Sequence, residues 1–176
     1  MNYSIIKDCD IANGPGVRVT LFVSGCTHHC EGCFNEETWD FQYGEPFTEK
    51  TADRILSMLA PDYIAGLTLL GGEPLEPVNR QALLPLVRAV KERYPGKNIW
   101  CYTGYHFEQD VLGKFCAQWP EMKEFLSCID VLVDGKFILS QKDISLRFRG
   151  SRNQRIIRVG ESLRSDEIVM WDDKEK

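Results

Sequence analysis

Val17-Arg18-Val19-Thr20-Leu21-Phe22-Val23-Ser24-Gly25-Cys26 decides the architecture of this chain. The β-branched, apolar run from Val17 to Val23 reads as a buried strand. It is preceded by the turn signal Asn13-Gly14-Pro15-Gly16, and Tyr3 to Ile6 upstream can pair with it as a hairpin. The strand runs directly into Ser24-Gly25-Cys26 and the cluster Cys26-Thr27-His28-His29-Cys30-Glu31-Gly32-Cys33, so three thiols sit in the loop at its carboxyl end.

Downstream, Thr48 is a candidate N-cap for a helix to Ala60, with Ala52, Ile55, Leu56 and Leu59 spaced as one apolar stripe. Leu67 to Leu70 reads as a buried strand ended by Gly71-Gly72. A second helix carries Leu83, Val87, Val90 and Tyr94, with Pro85 expected in its first turn. Strands follow at Asn98–Tyr102, Ile129–Val133 and Arg155–Val159, with helical material between Glu108 and Leu126. Strands alternating with helices through short loops predict βαβ units and a parallel sheet. The expected fold class is α/β, a partial (open) β/α barrel, because the strands are too few for a closed eightfold one.

Four of these strands end in chemically loaded loops: the cysteine cluster, Gly71-Gly72-Glu73-Pro74, Tyr102-Thr103-Gly104-Tyr105 and Asp134-Gly135-Lys136-Phe137. Ligands of α/β folds bind at the carboxyl ends of strands, so the four should converge on one site. No linker or repeat divides residues 1–176, and 176 residues suit a single domain. A 43% hydrophobic, 27% charged composition fits a packed core rather than disorder. The net charge of −5 and the lack of a basic run argue against nucleic acid as the main partner. Neither a leader pattern at the start nor an apolar span is evident, so no membrane and a cytoplasmic location are expected.

Seven cysteines is an odd number for a disulfide framework, and three of them fall within eight residues as C-x3-C-x2-C. Three thiolates on one loop can face a single centre, and a [4Fe–4S] cluster held by three keeps one iron open for a ligand. Two other readings stand beside it. One is structural zinc, with His28, His29 or a remote cysteine as fourth donor; the other is a set of inert thiols. In the cluster reading His28 and His29 are loop residues outside the site. Cys9, Cys101, Cys116 and Cys128 read as small core residues, as do Trp39, Trp100 and Phe107. Arg147, Arg149, Arg152 and Arg155 read either as a solvated loop or as a docking edge.

Cys26, Cys30 and Cys33 together with Gly71-Gly72-Glu73-Pro74 resemble the radical S-adenosylmethionine superfamily. Asn13–Gly16, Leu21–Cys26, Gly32–Asn35, Tyr102–Tyr105, Val131–Phe137 and Arg149–Gln154 further resemble its anaerobic ribonucleoside-triphosphate reductase activating proteins. The matching blocks run from about Tyr3 to Arg158. The superfamily usually has an aromatic residue just before the third cysteine; here Gly32 precedes it and Phe34 follows, as in the activators. The resemblance implies a [4Fe–4S] cluster on Cys26, Cys30 and Cys33, and S-adenosylmethionine held by Gly32, Cys33, Phe34, Gly72 and Glu73. It places Asp134 and Lys136 near the methionine carboxylate, with Asp134 as a candidate ligand of a monovalent cation, and Thr103 counts among the implied cofactor-binding residues. The implied reaction is reductive cleavage to a 5′-deoxyadenosyl radical, which installs a glycyl radical on the reductase. A reduced flavodoxin-like protein is the implied electron donor. Other implied possibilities are a different glycyl-radical partner, such as a formate-lyase type, or a small-molecule substrate. A different class would be a metal-binding interaction module, which leaves Gly71-Gly72-Glu73-Pro74 unexplained.

Overall fold

The computed structural model describes residues 1–172. Strand β1 (Asn2–Asp10) pairs antiparallel with β2 (Val17–Val23), the expected hairpin. Its turn is built on Asp10, whose carboxylate accepts from Ala12 N at 2.9 Å and Asn13 Nδ2 at 2.6 Å. A short β3 (Glu45–Pro46) flanks β1. Helix α1 (Glu49–Met58) starts at Thr48 as predicted, with a reciprocal Thr48–Thr51 capping box.

Strands β4 (Ile64–Gly71), β5 (Asn98–Tyr102) and β6 (Val131–Asp134) extend the sheet parallel to β2. Strand β7 (Arg155–Arg158) closes the order β3-β1-β2-β4-β5-β6-β7, but it runs antiparallel to β6. The parallel expectation therefore holds for the four central strands, and the hairpin edge is as expected, but the direction of β7 is not. The hairpin fixes one edge, and β7 returns through a loop rather than a crossover helix. The result is an open, mixed seven-stranded sheet.

Helix α2 (Pro77–Arg93) begins earlier than expected: Pro77 occupies its first turn, and Pro85 lies inside, on the exposed face. There its missing N–H costs one helical bond whose carbonyl can turn to water. Between β5 and β6 the chain forms a π-helical stretch, Phe107–Phe115, then α3 (Cys116–Gln118) and α4 (Met122–Cys128). Pro120 separates the last two, since the residue before a proline avoids helical geometry. Helix α5 (Val159–Ser165) follows β7. No helix among the described residues is long and apolar enough to cross a membrane.

The period of two along each strand sorts side chains onto two faces. Val19, Leu21, Val23, Leu67, Leu69, Ile99, Cys101 and Leu132 pack against α1, α2 and α4 in the main core. Their alternates face the opposite side of the sheet, where Trp100, Val131, Val133 and Ile156 meet Trp171 in a second cluster. Arg18 is also buried there, its guanidinium donating to Thr68 Oγ1 at 2.7 Å, Leu67 O at 2.9 Å and Pro15 O at 3.2 Å. Burial lowers its pKa to about 10. Three core expectations fail. Cys9 is exposed, Cys116 is half-buried, and Trp39 is half-buried with its ring stacked on His29.

Candidate functional site

The carboxyl ends of β2, β4 and β5 and the loop after β6 surround a cavity of about 670 Å³. Cys26, Cys30 and Cys33 line it from one side and Gly71, Gly72 and Glu73 from another. Thr103, Gly104, Gly135 and Phe137 complete the wall, so the four predicted loops do converge. The remaining cysteines lie elsewhere: Cys9 on β1, Cys101 in the main core, and Cys116 and Cys128 on helices. A donor set of three thiols on one loop suits a cubane cluster with one open corner better than a closed four-donor zinc site. Burial pushes the Cys26 thiol up to about 12 and raises Cys30 too, so loading a metal there must displace protons.

Backbone contacts latch the cysteine loop to the Gly-Gly-Glu-Pro loop. Gly72 N donates to Val23 O at 2.8 Å, Glu73 N to Gly25 O at 2.9 Å, and Gly25 N to Thr38 O at 2.8 Å. Position 72 has no space for a side chain, because a Cβ would lie 2.6 Å from Gly25 O and 2.9 Å from Thr38 O. This close backbone approach, rather than exposure to solvent, explains the glycine.

Glu73 is 1% exposed, and its carboxylate is fully engaged. Oε1 accepts from Leu75 N and Thr103 Oγ1, both at 2.8 Å. Oε2 accepts from Gly104 N at 2.8 Å and lies 3.0 Å from His28 Nε2. Glu73, which the resemblance lists among the residues holding S-adenosylmethionine, thus has its carboxylate acceptor sites occupied by groups of the chain itself. Glu73 organises three loops instead, leaving backbone groups of Gly71 and Gly72 at the cavity wall. Thr103 is present as predicted, but it holds Glu73.

His28, set aside in the sequence reading, belongs to this network. Its ring packs edge-on against Tyr105, with centroids 4.4 Å apart, and lies over Gly104. A Cβ at Gly104 would come within 2.4 Å of His28 Cδ2 and 2.6 Å of Nε2. Two further positioning residues were missed. Asn79, fully buried, donates from Nδ2 to Ser24 O at 3.0 Å and Glu73 O at 2.9 Å, joining both loops from α2. Glu76 Oε1 accepts from Thr27 N at 3.1 Å and Thr27 Oγ1 at 2.5 Å. Asn79 left a legible signal: a polar residue on the stripe shared by Leu83, Val87 and Val90.

Phe34 is 64% exposed at the cavity mouth, its ring 5.5 Å from Phe137 and under Lys142 Nζ at 4.8 Å. Gly32 precedes it with its α-carbon facing Leu139. Asp134 is not at the cavity wall. Its carboxylate accepts from Phe107 N at 2.9 Å and Arg155 Nε at 2.9 Å, with a second contact from Arg155 Nη2. The candidate cation ligand is thus already neutralised by a cation of the chain itself, and Lys136 is exposed. Arg155 also bridges to Glu108, so it is no part of a solvated loop.

Comparison with known proteins adds an independent line. Residues 12–157 match the family described as a 4Fe-4S single cluster domain. The chain is similar to the anaerobic ribonucleoside-triphosphate reductase-activating protein of Enterobacteria phage T4, 46% identical over 158 residues, covering 89% of this chain and 93% of that one. The protein of the same name from Haemophilus influenzae is 47% identical over 160 residues, covering 90% and 98%. That from Escherichia coli K12 is 44% identical over 156 residues, covering 88% and 96%.

Proposed function

This chain belongs to the anaerobic ribonucleoside-triphosphate reductase-activating proteins, within the 4Fe-4S single cluster domain family, and we propose that it activates its reductase by radical S-adenosylmethionine chemistry. The observation that carries the reading is the three-thiol loop opening into a cavity whose facing wall is the Gly71-Gly72-Glu73 backbone. When bound, a [4Fe–4S] cluster and S-adenosylmethionine supply one-electron cleavage of a carbon–sulfur bond and, through it, removal of a hydrogen atom from a reductase glycine.

Cys26, Cys30 and Cys33 are the cluster ligands in this reading. Gly72, with the backbone beside it, and Cys33 across the cavity hold the methionine portion, and Gly32, which faces Leu139 rather than the cavity, shapes the backbone that presents Cys33. Phe34 supplies an apolar face at the mouth for the adenosine portion. Glu73, Thr103, His28 and Asn79 do not touch the ligand; they fix the distance between the thiol loop and the glycine loop. Asp134 holds Arg155 and Phe107 N rather than an added metal cation. Electrons come from a reduced flavodoxin-like donor in the cytoplasm.

The test is anaerobic. Iron and sulfide are loaded, S-adenosylmethionine and dithionite are added, and 5′-deoxyadenosine is quantified against Cys30→Ala. The expected result is product that disappears in the variant, and a glycyl radical on added reductase. Retained zinc without product would leave a metal-stabilised binding module.

A further inference from the structure

The loop between β6 and β7 differs in character from the rest of the chain. From Lys136 to Gln154 it carries five cations against one carboxylate, within a chain of net charge −5. It also rims the cavity: Phe137, Lys142, Ile144 and Gly150 all border the opening, with Phe34. Among the described residues Ile144, at 93%, is the most exposed of the large apolar side chains, and Phe34 on the same opening is exposed as well. Single exposed apolar residues are ordinary, but a group of them around one mouth marks a binding surface.

Ile144 is held in place. Asp143 Oδ1 accepts from Ser145 N at 3.0 Å and Ser145 Oγ at 2.6 Å, while Oδ2 accepts from Arg152 Nε at 3.0 Å. Asp143 N donates to Gly150 O at 3.2 Å, and Arg152 N to Gln141 O at 3.0 Å. The turn therefore presents the isoleucine from a hydrogen-bonded base, which lowers the ordering cost of an interface.

We propose that this loop is the docking edge for the reductase, with Ile144 as its apolar anchor and the surrounding cations facing an acidic, extended segment of that protein. The inference rests on the activating-enzyme reading and names the surface that reading leaves open. The charge excess selects an acidic occupant. The position selects the reductase over an electron donor, since a donor needs only an edge near the thiols, whereas this loop borders the mouth through which a substrate segment must pass.

Binding of purified reductase to the cluster-loaded chain would be measured for wild type, Ile144→Asp, Ile144→Leu and Tyr63→Asp. Tyr63 is 66% exposed and precedes β4, at the opposite end of the strands from the cavity. Ile144→Asp is expected to weaken the complex roughly ten- to a hundredfold, in line with losing one buried aliphatic side chain. Ile144→Leu and Tyr63→Asp should bind like wild type. Cleavage of S-adenosylmethionine with dithionite, without reductase, should be equal in all four. Unchanged reductase affinity in Ile144→Asp overturns the proposal. So does a loss confined to self-association or to flavodoxin binding, which would assign the loop to those occupants. Failure of wild type to cleave S-adenosylmethionine would overturn the activation reading separately, since the binding assay reads docking without it.

Discussion

His28 Nε2 lies 3.0 Å from Glu73 Oε2, joining two loops 45 positions apart in the chain, with the two side chains only 7% and 1% exposed. The contact couples the thiol-bearing loop to the glycine loop across the cavity. Replacing His28 by Ala removes one partner of a buried carboxylate, at a cost of about 1–3 kcal/mol. Thermal melts of the cluster-free protein should show that loss, and His28→Gln, which can still donate, should recover much of it. Equal stability of all three proteins would show the contact to be energetically idle.

Gly104→Ala tests the same contact from the other side. The new methyl would meet the imidazole at 2.4 Å, so the ring must leave Glu73 or the loops must part. We expect a destabilisation of about 1–3 kcal/mol, characteristic of overpacking. In a His28→Ala background most of that cost should vanish. A double-mutant cycle in urea measures this coupling, and simple additivity would mean that Gly104 is required for some other reason.

Asn79→Leu keeps volume on the apolar stripe of α2 but removes the donor shared by Ser24 O and Glu73 O. Two buried carbonyls lose a partner, so about 2–4 kcal/mol should be lost, despite the gain in hydrophobicity. The urea midpoint should fall. Iron retention after anaerobic loading should fall with it, because the thiol loop loses its tether.

Cys26→Ala, Cys30→Ala and Cys33→Ala should each abolish stable iron loading. Cys9→Ser, at an exposed position of β1, should load like wild type. Iron and sulfide per chain after desalting give the readout. Full loading in any of the three alanine variants would remove that cysteine from the ligand set.

Hydrogen bonding to Arg155 holds the Glu108 carboxyl at about 2, below its ordinary 4.5. A carboxyl lowered in the folded state stabilises above its unfolded pKa, so the contribution is complete above pH 4.5 and fades as pH falls toward 2. Glu108 is half-exposed, which limits the effect to under about 1 kcal/mol. The melting temperature of Glu108→Gln should lie slightly below wild type at pH 6, and the two should converge on acidification. A gap that widened in acid would contradict the assignment.

Local pattern alone determined the central strands, the capped start of α1, the hairpin and the thiol loop, because each rests on spacing or turn chemistry within a few residues. Convergence of the four strand-end loops was also legible, since parallel strands bring their carboxyl ends to one edge. The direction of β7 was not: a strand's polarity relative to its neighbour depends on how the intervening chain returns, and the connection before β7 carries only one short 3-10 turn, Leu139–Gln141, and no crossover α-helix to signal it. Nor was the division of labour among polar residues. Glu73 looked like a ligand contact and Asp134 like a cation site, yet tertiary packing gave each carboxylate partners from distant positions: His28 and Thr103 for one, Arg155 and Phe107 N for the other. A buried carboxylate takes whatever donors folding brings within about 3 Å. Those donors are set by which strands become neighbours, and that is a property of the folded chain alone.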